Sequence, residues 1–233
     1  MKKSARLAGV LYLIFILTGV YGMFYIPSQI NMRGDAAATA QNILSNEFLF
    51  RTSIINDLIC NSIWVVMALV LYRLFKHVDE RQAKLLVALV IVQIPVVFIM
   101  EAFNIASLMI IKGEILKTFD LAQRQDLAML FLKLSDYGVL TLEMFWGLWL
   151  FPLAILVYRS NFLPRFLGAW LIITGIFYVV LSFTSIMFPQ YKDMVLNSVF
   201  ALPAELGEVA FMLWLLIKGA KEQPANSARY QEA

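Results

Sequence analysis

The sequence predicts an all-α polytopic membrane protein: a bundle of six transmembrane helices with both chain ends on the cytoplasmic side, and short extracytoplasmic helices between spans 1 and 2 and between spans 3 and 4. Three observations predict it. Of 233 residues, 61% are hydrophobic and 15% charged, with a mean hydropathy of +0.76, where a soluble domain carries about a quarter charged residues. The apolar residues gather into six stretches of about the length that crosses roughly 30 Å of hydrocarbon. The basic residues fall beside the ends of those stretches, and more of them on one side than the other.

The spans are expected at 7–26, 54–74, 85–111, 137–158, 166–188 and 199–218, forming one domain over 1–220 with a disordered cytoplasmic tail at 221–233. Lys2, Lys3 and Arg6 precede the first span, Arg73, Lys76, Arg81 and Lys84 follow the second, and Arg159 and Arg165 separate the fourth from the fifth. With Lys218, Lys221 and Arg229, twelve of the 19 Lys and Arg residues lie on one side, which the positive-inside rule makes cytoplasmic. The net charge of +3 therefore reflects topology, and no nucleic-acid partner is expected. Lys2 and Lys3 before an apolar run also resemble a signal peptide, but the run is about twice the usual 7–15 residues of such a segment. The first helix is expected to be retained.

Between the first two spans, Asp35 reads as the N-cap of a short helix running through Leu44. Segment Asp120–Ser135 has apolar positions at 121, 127, 130, 131 and 134 on roughly one face, which suits a surface helix ahead of the fourth span. Pro95, Pro152 and Pro203 are each expected to kink a helix. The Arg-x-x-Gly start shared by the first and fifth spans is too slight to establish a repeat.

Several stretches together carry a resemblance: ARLAGVLYL at Ala5–Leu13, GDAAATAQNIL through EFLFR at Gly34–Arg51, the Asn56–Asp57 pair, RFLGAWLIITG at Arg165–Gly175, and PAELGEVAFMLWLLIKG near the end. The chain resembles an uncharacterised bacterial membrane family, catalogued as domain of unknown function 4386. The Gly-Asp-Ala loop with its Leu-Phe-Arg exit is the most specific part. The resemblance implies a multi-pass protein of the bacterial inner (plasma) membrane and brings no reaction, ligand or functional residue with it.

The ionisable residues inside the spans carry the functional expectation. Counting about 1.5 Å per residue from each span's entry places Asp57, Glu101, Glu143, Glu205 and Glu208 in roughly one leaflet, the outer one, with Asp136 at its interface. Glu101 with Asn104 and Glu205 with Glu208 are i, i+3 pairs, and Asp57 with Asn61 is i, i+4, so each pair shares a helix face. A charge at the bilayer centre costs on the order of 2.5–3.5 kcal/mol. Five carboxylates are therefore expected to face inward, toward each other, water or a ligand. The candidate ligand- or cation-binding residues are Asp57, Asn61, Glu101, Asn104, Glu143, Glu205 and Glu208. Protonated carboxyls can also serve as structural hydrogen-bond donors, so the cluster has a purely packing alternative.

Absences narrow the chemistry. A single histidine, His77, rules out three-histidine zinc sites and HExxH metalloprotease chemistry. No Walker A loop, G-x-S-x-G elbow or dinucleotide fingerprint is present. Cys60 has no disulfide partner in the chain and reads as a packing residue. No cofactor is expected, although carboxylates and amides suit a hard divalent cation such as Mg²⁺, Ca²⁺ or Mn²⁺. Tyr21, Tyr25, Trp64, Phe98, Phe103, Phe145, Trp146 and Trp149 crowd the same region and suit an amphipathic cation or a lipid-like ligand. The leading expectation is a protein that binds or transports a cation, a proton or an amphipathic cation, embedded in a lipid bilayer and forming a homodimer if it works as small secondary transporters do. The alternatives are an intramembrane enzyme on a lipid-like substrate with the carboxylates as acid/base or metal ligands, and a structural scaffold. The catalytic residues, the metal and the substrate are not legible.

Overall fold

The computed structural model describes residues 2–30, 35–196, 198 and 201–220, without the side chains of 192, 193 and 201–205. The polar residues 31–34 and the tail 221–233 lie outside the described residues. The helices are α1 (Lys2–Val20), α2 (Ile26–Gln29), α3 (Ala36–Ser45), α4 (Glu47–Phe75), α5 (Glu80–Ile91), α6 (Ile94–Lys112), α7 (Leu121–Leu148), α8 (Leu150–Arg159), α9 (Arg165–Met187), α10 (Lys192–Leu196) and α11 (Ala201–Ile217). Among the described residues there is no strand. Five helical stretches are long and apolar enough to cross a membrane: Lys2–Gln29, Glu47–Phe75, Glu80–Lys112, Leu121–Arg159 and Arg165–Met187. Leu206–Ile217 is a shorter apolar helix.

Prolines decide where the long stretches bend. Pro27 has no N–H, and the turn before it, Tyr21–Tyr25, widens to a π-helix in which the Ile26 N–H bonds to the Tyr21 carbonyl. Pro95 breaks the third stretch between α5 and α6. The Gln93 N–H reaches back only to Val90, at 3.2 Å, and its side-chain amide Nε2 donates to the Leu89 carbonyl at 2.6 Å. Pro152 breaks the fourth stretch at Trp149, whose N–H keeps its bond to Phe145 at 3.0 Å.

Some expectations change. Pro203 lies in the first turn of α11, where its missing N–H costs no helical bond, so it makes no kink. The surface helix expected over Asp120–Ser135 is not a separate element. It is the first half of α7, which starts at a capping box formed by Asp120 and Gln123 and continues without a break, because nothing between 120 and 148 removes a donor. The short helix after Asp35 forms as Ala36–Ser45, with the Asp35 side chain accepting from the Ala38 N–H at 2.7 Å.

Neighbouring helices run antiparallel and touch at glycines. A Cβ on Gly9 would stand 2.6 Å from the Leu216 nitrogen, and one on Gly147 would stand 2.5 Å from the Gly175 carbonyl oxygen. The α7–α9 seam adds a buried bond from the Ser182 hydroxyl to the Leu140 carbonyl at 2.6 Å. The largest core cluster joins α1, α4, α5, α8, α9 and α11 through residues such as Tyr12, Met67, Leu71, Trp149, Leu171 and Phe211. The outside is as apolar as the inside: Phe24, Ile55, Phe98, Ile173 and Phe183 are all exposed, a surface that suits lipid and would aggregate in water. Charges collect at the two ends of the bundle. Arg159 pairs with Asp79 at one end, and Lys112 with Glu47 and Glu114 at the other.

The glycine seam yields a prediction. Gly147→Val should lower stability by about 1–3 kcal/mol, because no side chain can yield where backbone meets backbone. Gly19→Ala, with nothing within 4 Å of the new methyl, should cost nothing. Thermal unfolding of the detergent-solubilised protein checks both.

Candidate functional site

Asp57 and Glu101 are the two candidates that meet. Asp57 lies on α4 and Glu101 on α6, and their carboxyl groups are within hydrogen-bonding reach of each other. Glu101 is only 4% exposed. Each carboxyl has an amide beside it. The Asn104 Nδ2 donates to Glu101 Oε2 at 3.0 Å, and the Asn56 Nδ2 donates to Asp57 Oδ1 at 3.1 Å. The same Asn56 amide donates to the Thr18 carbonyl of α1 at 3.0 Å. A polar chain thus crosses three helices, from Thr18 through Asn56, Asp57 and Glu101 to Asn104.

Gly22 makes the room. It stands in the π-turn after α1, and a Cβ there would lie 2.9 Å from Asp57 Oδ1 and 3.1 Å from Asn56 Nδ2. A glycine leaves room for the carboxyl and lets the Asn56 amide reach the Thr18 carbonyl. A wide π-turn at such a point is a recurrent feature of functional sites. The carboxyl–carboxyl proximity also has a chemical consequence. A carboxylate offers only acceptors, so a hydrogen bond between the two carboxyls requires a proton on one of them.

Glu208 sits elsewhere. Its carboxylate accepts a hydrogen bond from the Tyr12 hydroxyl, joining α11 to α1. Tyr12 is fully buried, and the rings of Phe15, Trp149 and Phe211 surround it at centroid distances of 6.0, 6.2 and 5.9 Å. Tyr12 precedes Thr18 by six residues, so this pair lies about 9 Å along α1 from the Asp57 site. Glu143 is buried on α7, one turn before the Gly147 contact with α9. The Asn61 amide turns back on its own helix, donating to the Asp57 carbonyl at 2.9 Å. The Glu205 side chain lies outside the described residues. Among the described residues, no group of three or more His, Cys, Asp and Glu could hold a metal ion.

The aromatic residues do not form one wall. Trp64 and Trp149 stack edge to face at 5.5 Å in the core around Tyr12. The Tyr21 hydroxyl lies 3.0 Å from the Thr52 hydroxyl and its ring stacks on Tyr25. Trp146 meets Tyr178, Phe103 meets Phe131, and Phe98 is 45% exposed on the outer face. Three contributors escape a reading of the sequence. Tyr12 looks like one more apolar-run aromatic, Gly22 like a packing glycine, and Thr18 acts only through its carbonyl. The one available signal was the Gly22-to-Pro27 spacing, which marks an irregular turn.

These features define a class: an all-α chain with five helices of membrane-crossing length and composition, and carboxyl groups within the bundle. Residues 7–219 match the family described as "Domain of unknown function (DUF4386)", and the chain belongs to that family. It is also similar to an uncharacterised protein of Archaeoglobus fulgidus, 36% identical over 86 residues, which are 36% of this chain and 49% of that protein. The chain therefore spans about half the length of this curated relative. No solved structure matches.

The Tyr12–Glu208 bond can be weighed directly. Tyr12→Phe removes the donor from a carboxylate inside the bundle and should cost about 1–3 kcal/mol, while Tyr25→Phe on the exposed side should cost almost nothing. Parallel melting curves in one detergent separate the two.

Proposed function

We propose that this protein crosses the bacterial inner membrane six times, with both ends cytoplasmic, and that it binds and carries a proton or small cation at the Asp57–Glu101 pair. The observation that carries the reading is the contact of two carboxyl groups from different helices inside an apolar bundle. With the proton removed, two negative charges would face each other where the dielectric is low, so the site demands a positive charge in its place. A proton meets that demand with the geometry as it stands. A small cation would meet it with the same carboxyl oxygens.

The surrounding groups favour the proton over a divalent metal. Asn56 and Asn104 present N–H donors to the carboxyls, where Ca²⁺ or Mg²⁺ would need about six oxygen ligands. An amphipathic cation finds less support, since the aromatic residues pack on one another. The six-span topology rests on α11, whose 17 residues reach about 25 Å and pack antiparallel to α1 through Gly9 and Leu216. The cytoplasmic assignment rests on the basic end, where Gly219 lies against Lys2 and Arg6 and Arg159 meets Asp79.

The test is proton flux. In liposomes holding a trapped pH dye, with a potassium–valinomycin potential applied, the reconstituted protein should admit protons faster than empty liposomes. Asp57→Asn and Glu101→Gln should each slow that flux on the order of 10²-fold, as loss of a proton-transfer group does. Flux no faster than in empty liposomes, or full flux in both variants, would overturn the reading.

A further inference from the structure

The outer surface carries a groove that the carboxyl sites do not use. It runs between α4 and α5 and has a volume of about 610 Å³. Leu69 and Tyr72 line it from α4, and Lys84, Ala88, Ile91 and Val92 from the α5 side. The proline break marks its end. Ahead of Pro95, α5 stops at Ile91, and Ile91 and Val92 are the last residues that line the groove. Ala88 adds depth because its side chain is small.

We propose that this groove is a binding site for an anionic phospholipid of the leaflet on the Lys/Arg-rich end of the bundle. Two observations identify the occupant. The first is length. From Lys84 to Val92 the groove follows eight residues, about 12 Å, close to the roughly 15 Å of hydrocarbon in one leaflet. An acyl chain lying in it would end where the helix breaks. The second is charge. Lys84 stands at the mouth of an otherwise apolar trough that Tyr72 also lines, with Lys76 and Arg81 at the same end of the bundle. Lys84 Nζ touches Glu80 at 3.0 Å, but both side chains are more than half exposed. Such a surface pair is weak, which leaves the ammonium available to a phosphate. Basic residues at this level attract anionic lipid head groups.

A second groove serves as the comparison. It lies between α1 and α4, has about 380 Å³, and includes Leu11, Ile59 and Ser62 but no ionisable side chain. Lipid chains would occupy it without head-group preference.

Native mass spectrometry of the purified full-length protein tests the proposal, with equal amounts of dioleoylphosphatidylglycerol and dioleoylphosphatidylcholine added. The wild type should retain the glycerol lipid several-fold over the choline lipid. Lys84→Gln should abolish that preference, Ala88→Trp should reduce retention of both lipids by filling the groove, and Ile59→Trp in the other groove should leave the preference intact. The three substituted side chains face outward, so unchanged helical circular dichroism checks that each variant folds. Equal retention of the two lipids by the wild type would overturn the proposal. So would a preference that survives Lys84→Gln, or retention that Ala88→Trp leaves unchanged.

Discussion

Backbone hydrogen bonding governs this chain more than any side-chain contact does. In an apolar surrounding each peptide N–H and C=O must find its partner inside the protein, and a helix supplies those partners locally. Two of the interruptions are repaired on the spot. Beside Pro27 the turn widens, and Ile26 bonds to Tyr21. Beside Pro95 the Gln93 side chain takes the Leu89 carbonyl. The bends fall at prolines because only there is a donor missing.

With apolar residues on both the inner and outer surfaces, the hydrophobic effect cannot tell one helix face from the other. Close approach and buried polar bonds take over that role. Gly9 admits the α11 backbone, Gly147 and Gly175 admit each other's helices, and Ser182 bonds across the same seam. The bundle interior consequently contains small residues and hydroxyls beside large rings such as Trp149 and Phe211.

The same devices position the carboxyls. α1 buries little of itself, yet it supplies the partner for both carboxyl sites: Tyr12 for Glu208 and the Thr18–Gly22 turn for Asn56 and Asp57. A π-turn created by a proline and a glycine without a side chain together open the space that Asp57 occupies. The groove between α4 and α5 ends where α5 stops ahead of Pro95. Irregular backbone thus lies beside the carboxyl site and at the end of the apolar trough alike.

Much of this was legible along the chain. Apolar runs marked where the long helices lie, because their length must match the hydrocarbon. The Asp35 cap and the breaks at Pro95 and Pro152 were readable, because capping and a missing donor act within one helical turn. The burial of Glu101 was readable too, since carboxylates are costly against lipid. The depth count placed five carboxylates at one level, but it carried no information about rotation or partner. Tertiary packing alone brought Asp57 to Glu101 and gave Glu208 to Tyr12 about 9 Å away along α1. It also joined the Asp120–Ser135 segment to the fourth span as one helix. The sequence by itself determined the helices, because backbone bonding and hydropathy are local. Only the tertiary structure decided which polar groups meet, because that depends on how closely two helices approach, and glycines far apart in the chain set that distance.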